Sequence, residues 1–240
     1  MKPLIFGIDL DDTLIPTARK YHRVMWQCGC IIDTALGVRS PHPKDILDYH
    51  QQVDTAGIIS HGYAVDRFPH SWAATYRHFA EQFDVEVDPI VTAQMLRVAA
   101  GFMEGPFEPF NGVVKTLETL NELGHELHLI SACSPAEEFQ EKKLSATGLA
   151  RYFVGRVHYT AIDKTAAMRQ VFTDPSRSVM VGDSKAHDIV PAIALGVKAV
   201  WVPSTSWSFI QANVDTATFH TIRTFPELLD ILPLLNGNRN

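Results

Sequence analysis

The chain has 240 residues, 46% of them hydrophobic, enough for one sizeable core or one core plus an inserted module. Its formal charge of -6 at pH 7 argues against a general nucleic-acid binder, whose affinity depends on clustered Lys and Arg. The three cysteines, Cys28, Cys30 and Cys133, have spacings that suit neither a disulfide framework nor a zinc ribbon, and no apolar run nears the roughly 20 residues of a membrane span. A soluble, cytoplasmic protein with neither nucleic acid nor membrane as partner is expected.

In chain order, Leu4 to Ile8 is a short apolar run that meets Asp9, Asp11 and Asp12 at once. It is too short for the apolar core of a signal peptide and reads as a buried strand. From Thr17 to about Gly105 the pattern is helical. Tyr21, Val24, Met25, Cys28, Ile32 and Ala35 form one apolar stripe. Trp72, Tyr76, Phe79 and Phe83 form a second, and Val91, Met95, Val98 and Phe102 a third. A weaker helix is expected over Pro43 to Ala56, followed by a turn-rich stretch from Gly57 to Pro69.

After Gly105-Pro106 strands alternate with helices. Asn111 is the expected cap of a helix carrying Val113, Leu117 and Leu120, which Gly124 ends. Strands are expected at Glu126 to Ser131, Tyr152 to His158, Ser178 to Gly182 and Lys198 to Val202. Helices fall near Lys164 to Phe172 and Asp188 to Leu195, and another starts at the Ser134-Pro135-Ala136-Glu137 capping box. The Asn-rich end after Leu235 reads as disordered. The alternation predicts an α/β fold with a doubly wound parallel sheet. Residues 1–16 and 106–240 make that sheet domain, and residues 17–105 form an all-helical insertion.

Ligands of open parallel sheets bind beyond the carboxyl ends of the strands. There the first strand delivers Asp9 and Asp11, the second Ser131 and the fourth Asp183, while Lys164 starts the helix after the third. Asp9-Leu-Asp11-Asp12-Thr13-Leu14 resembles the first motif of the haloacid dehalogenase-like (HAD) superfamily. Leu129-Ile130-Ser131 resembles its second motif, Lys164 sits where the third supplies its lysine, and Val179 to Asp188 matches the fourth. These residues occur in the family's order from 9 to 196. Asp12 stands where the family commonly has glycine, and Asp tolerates turn conformations.

The resemblance implies a Rossmann-like HAD core with a helical cap. It also implies a magnesium-dependent phosphatase that hydrolyses a small phosphorylated metabolite through an aspartyl-phosphate. As a carboxylate, Asp9 can attack phosphorus, and Asp11, two residues on, can protonate the leaving oxygen and then activate water. Thr13, Ser131, the backbone at Ala132 and Lys164 are the expected phosphoryl-binding groups. Mg²⁺ would be held by Asp9, the Asp11 backbone carbonyl and Asp183, with Asp188 orienting the site or approaching the ion directly. Two unit charges 4 Å apart repel by about 4 kcal/mol at an effective dielectric of 20, so this acid cluster needs a cation before it admits an anionic substrate.

Thr17 and Gly105-Pro106 are hinge candidates, and Arg19, Arg23, His61, Tyr63 and Arg67 are candidate substrate contacts in the cap. His187, inside the fourth motif, is expected near the pocket rim. The other six histidines noted in the insertion, His22, His42, His50, His61, His70 and His78, lack the i, i+4 pairing of a helical zinc site. Two alternatives remain open: a phosphoryl-transfer mutase of the same superfamily, and a non-catalytic phosphate- and Mg²⁺-binding sensor. Dehalogenase chemistry is disfavoured because those relatives lack the second acid, present here as Asp11.

Overall fold

A computed structural model describes residues 2–204 and 214–237. The Asn-rich end reaches into 238–240, outside the described residues. The chain divides into two compact units: Met1–Ala18, Phe107–Cys133 and Gln140–Asn240 form one, and Arg19–Pro106 with Ser134–Phe139 form the other.

The first unit is built on a parallel sheet. β1 (Ile5–Ile8) is buried at every position, as expected for a strand covered on both faces. It lies between β2 (Glu126–Ala132) and β4 (Ser178–Gly182). β3 (Val157–Thr160), β5 (Lys198–Trp201) and β6 (His220–Thr221) complete the order β3-β2-β1-β4-β5-β6. Every pairing is parallel. Alternation of side chains along β1 sends Phe6 and Ile8 into one apolar cluster, with Leu127, Leu129 and Val181, and Ile5 into another, with Ile130, Met168 and Met180. The strand order reverses at β1, where the first crossover goes to β2 on one side and a later one to β4 on the other. Ile8 pairs with Val181, and the Asp9 N–H donates to the Val181 carbonyl at 3.0 Å. This register brings the loops after β1 and β4 side by side.

The second unit is helical: α1 (Thr17–Leu36, which enters from the sheet unit), α2 (Pro43–His61), α3 (Arg67–Gln82) and α4 (Pro89–Ala99). Val24, Cys28 and Ile32 of α1, Trp72, Tyr76 and Phe79 of α3 and Met95 of α4 share one core, so the three apolar stripes face each other. None of the described helices is long and apolar enough to cross a membrane.

Several boundaries differ from the sequence reading. α2 continues through Gly57 to His61 instead of ending at Ala56. A Cβ at Gly57 would lie 3.1 Å from Cγ of Arg67, so the glycine admits a side chain of α3 at close range, and packing outweighs its helix-breaking tendency. α5 (Val113–Glu122) is preceded by Gly112 in a left-handed conformation (φ 82°), with no side-chain cap from Asn111. Leu149–Tyr152 is a 3₁₀ turn and β3 begins only at Val157, because Gly155 (φ 71°) breaks the run between them. α6 (Glu137–Ala146) starts two residues beyond Pro135. α7 (Thr165–Val171) has Lys164 at its N-cap position, and Pro191 falls in the first turn of α8 (Val190–Ala194). β6 and the Leu-rich α9 (Leu228–Leu235) were not anticipated.

Candidate active site

The loop after β1 is a closed turn. Leu14 and Ile15 donate their N–H groups to the Leu10 carbonyl, and Asp12 donates to that of Ile15. Asp12 adopts φ 58°, the left-handed conformation that Asp and Asn tolerate best among non-glycine residues. Its carboxylate accepts from the Ala18 N–H at 2.9 Å. This turn fixes Asp9 and Asp11 at the carboxyl end of the central strand β1.

Asp9 is 5% exposed. One oxygen accepts from Lys164 Nζ at 2.5 Å, the other from Thr13 Oγ1 at 3.3 Å. Burial drives its pKa up to about 7, against the pull of Lys164 and with the help of the Asp188 charge. Lys164, 3% exposed, also reaches Asp188 at 2.7 Å. Desolvation alone would favour its neutral form, but the two carboxylates outweigh it and keep the ammonium charged.

After β4 the chain makes a π-type turn, Lys185–Ile189, a feature frequent at functional sites. Both the Asp188 and Ile189 N–H groups donate to the Ser184 carbonyl. The turn folds the Asp188 side chain back, so that its second oxygen accepts from the Ser184 N–H at 3.0 Å. Gly182 provides the room: a Cβ there would lie 2.2 Å from Asp188 Oδ2. Trp201 Nε1 donates to the Asp183 carbonyl at 2.7 Å and steadies the turn from β5.

Asp9, Asp183 and Asp188 each offer a carboxylate oxygen, all within 4.8 Å of one another. Burial, then the charges of Asp9 and Asp188, push the Asp183 pKa up to about 10. Asp183 Oδ2 is buried and has no donor among the described residues. With all three acids ionised Lys164 would offset only one of the negative charges, so ionisation of the orphaned Asp183 oxygen calls for a further cation. These donors fit Mg²⁺, which takes a few carboxylates and keeps further positions for water or phosphate oxygens. Asp188 already has both oxygens engaged, on Lys164 and Ser184, so orientation of Lys164 and of the turn is the clearer of its roles.

The Asp11 carboxylate lies outside this cluster, leaving only its main-chain carbonyl for the ligand role that the resemblance implies. Its oxygens accept from Thr17 Oγ1, from Gln140 Nε2 at 2.6 Å and from Lys143 Nζ at 2.6 and 2.8 Å. Burial would raise its pKa, but the charge and hydrogen bonds of Lys143, with Thr17 and Gln140, hold it below the usual carboxylate range. Gln140 Nε2 also donates to Ser131 Oγ at 2.6 Å, and Ala132 ends β2 beside it.

Gln140, Lys143 and Trp201 escaped the sequence reading. The first two lie on a helix rich in Glu and Lys, where a buried polar pair looks like a solvated face. Arg67, a candidate substrate contact, is instead committed to a partly buried ion pair with Asp54, which Ser71 also contacts. His187 donates its backbone N–H to Ser184 Oγ at 3.2 Å and so belongs to the π-type turn.

A family model described as haloacid dehalogenase-like hydrolase matches residues 5–196. No curated protein matches the chain in sequence. Among solved structures, a haloacid dehalogenase-like family hydrolase from Xanthomonas campestris is similar with TM-score 0.76 and 18% identity, covering 99% of this chain and 95% of that one. A Bacillus subtilis HAD-hydrolase bound to magnesium gives 0.60 and 16%, covering 96% and 99%. L-2-haloacid dehalogenase from Xanthobacter autotrophicus gives 0.53 and 14%, covering 96% and 98%. At these identities the likeness concerns the fold.

Proposed function

Because the chain belongs to the haloacid dehalogenase-like hydrolase family, we propose that it is a phosphatase of small phosphorylated metabolites with Mg²⁺ as cofactor. The observation that carries this reading is Asp11. A second carboxylate two residues after the nucleophile is held apart from the metal-fitting cluster by Lys143 and Gln140, which reserves it for proton transfer rather than for the metal. Displacement of halide from carbon needs no such acid, because halide leaves without a proton.

An oxygen of Asp9 attacks phosphorus, and the bond from phosphorus to the leaving oxygen breaks as the acyl phosphate forms. The leaving oxygen takes its proton from Asp11, which must first be protonated against the hold of Lys143. Water then attacks the phospho-aspartate and gives a proton to the Asp11 carboxylate, returning free phosphate and Asp9. Lys164 and Ser131 face the phosphoryl oxygens. Asp9, Asp183 and the Asp11 main-chain carbonyl, oriented by Asp188, would hold Mg²⁺, which would supply the positive charge that lets these acids and a phosphate share one site. By its place in the chain, the helical unit is assigned the choice of substrate.

A panel of phosphorylated metabolites, assayed for phosphate release with Mg²⁺ and with EDTA, tests the proposal. Asp9→Asn is expected to lose at least about 10⁴-fold in turnover with its circular dichroism unchanged. Halide release from 2-haloacids in place of phosphate release would overturn the reading, and an isomerised sugar phosphate in place of free phosphate would reassign the chain as a mutase.

A further inference from the structure

We propose that Gln140 and Lys143 are positioning residues that hold the proton-transferring carboxylate of Asp11 and the hydroxyl of Ser131 in one fixed arrangement. The inference rests on the phosphatase reading and adds two residues to it.

Gln140 and Lys143 stand three apart on α6, hence on one helix face. Each is only 2% exposed. Burying an amide and an ammonium on a short helix is costly unless both are paired, and both reach the same acid. Lys143 Nζ lies 2.6 and 2.8 Å from the two oxygens of Asp11, so the carboxylate is gripped at both ends rather than at one. Gln140 spans two groups, donating to Asp11 Oδ2 and to Ser131 Oγ at 2.6 Å each. A carboxylate only accepts, so the amide nitrogen must face it. The same NH₂ then occupies an acceptor position of Ser131 Oγ, which leaves the hydroxyl hydrogen to point elsewhere, as a donor to a phosphoryl oxygen.

Two consequences follow. The brace keeps Asp11 from turning into the cluster of Asp9, Asp183 and Asp188, where a fourth carboxylate would add a ligand and lose its catalytic position. It also sets the distance between the group that handles the leaving oxygen and the group that binds phosphate. A misplacement of about 1 Å costs on the order of 10²-fold in such a site.

The signature of this role is dependence on the leaving group. An alkoxide must be protonated as it departs, whereas p-nitrophenolate departs unaided. With Mg²⁺ present, kcat/KM is measured for an alkyl phosphomonoester that the enzyme accepts and for p-nitrophenyl phosphate, in the intact chain and in Lys143→Met, Gln140→Leu and Lys143→Arg. In Lys143→Met and Gln140→Leu the alkyl ester is expected to lose about 10²-fold and the aryl ester less than about tenfold. Lys143→Arg keeps the charge and restores most of the alkyl activity. Because both esters are read on the same preparation, a partly unfolded variant lowers both rates and leaves their ratio unchanged. An unchanged ratio, whether both rates fall together or neither falls, overturns the positioning role. A parent enzyme for which no alkyl phosphomonoester serves as substrate, and which leaves p-nitrophenyl phosphate intact, overturns the phosphatase reading itself.

Discussion

At the scale of single residues, the site is a problem in charge balance. Lys164 is buried with Asp9 and Asp188, at 2.5 and 2.7 Å, and neither acid has bulk water to fall back on. A buried ion pair contributes little net stability relative to an apolar substitute, yet removing one partner leaves the other charge stranded. Lys164→Met is therefore expected to destabilise the metal-free protein by about 3–5 kcal/mol, read from urea unfolding in EDTA. On the proposed reading Mg²⁺ binds the folded state alone and should recover part of that loss. Equal urea midpoints for the variant and its parent in EDTA would show that Asp9 and Asp188 do not depend on this lysine for their burial.

At the scale of elements, the machinery is a set of strand ends whose loops are folded tightly back. The turn after β4 illustrates the demand: Asp188 reaches Ser184 and Lys164 only because Gly182 presents no side chain. Gly182→Ala places a methyl group 2.2 Å from the present position of Asp188 Oδ2, so the carboxylate must move and Lys164 with it. The expected result is a loss of about 10²-fold in kcat/KM with the melting temperature shifted by only a few degrees, checked by kinetics and calorimetry on one preparation. Full activity would mean that the Asp188 contacts are dispensable.

These strand ends were legible in sequence because an apolar run that stops abruptly at a carboxylate is a local signal: Ile8 before Asp9, Gly182 before Asp183. Positions that depend on distant partners were not legible. Gly57 looks like a helix end until Arg67 is seen packed on it. Gln140 and Lys143 look like ordinary surface residues of a charged helix until β2 and the β1 loop are placed beside them. Leu228 to Leu235 is short and carries Pro233, which argues against a helix, although α9 forms there. Local patterns reveal elements; burial of a polar residue is a property of the assembled fold.

At the scale of the whole molecule, each unit has its own core, and acid should loosen the helical one through a single ring. His50 is 2% exposed, stacked on Trp72 at 3.7 Å and edge-on to Phe68. Neither of its ring nitrogens has a hydrogen-bond partner among the described residues. Burial, reinforced by the nearby Arg67 charge, lowers its pKa to about 3 from an ordinary value of 6.5. Above pH 6.5 the ring is neutral in the folded and unfolded chain alike, so it adds no pH dependence. Below 6.5 the unfolded chain takes up a proton that the folded chain refuses until about pH 3. Stability therefore falls with pH across that window, by about 1.4 kcal/mol per unit from this residue. His125, His158 and His187, also lowered by burial, act in the same direction within the sheet unit. His50→Phe preserves an aromatic ring against Trp72 and removes two unsatisfied polar atoms. It should leave stability at pH 7 equal or about 1 kcal/mol higher and flatten the response of the helical unit to acid. Hydrogen exchange of the α2 and α3 amides between pH 5 and 7, corrected for the intrinsic rate, reads that unit separately from the sheet. Protection that declines equally in variant and parent would place the acid-sensitive group elsewhere.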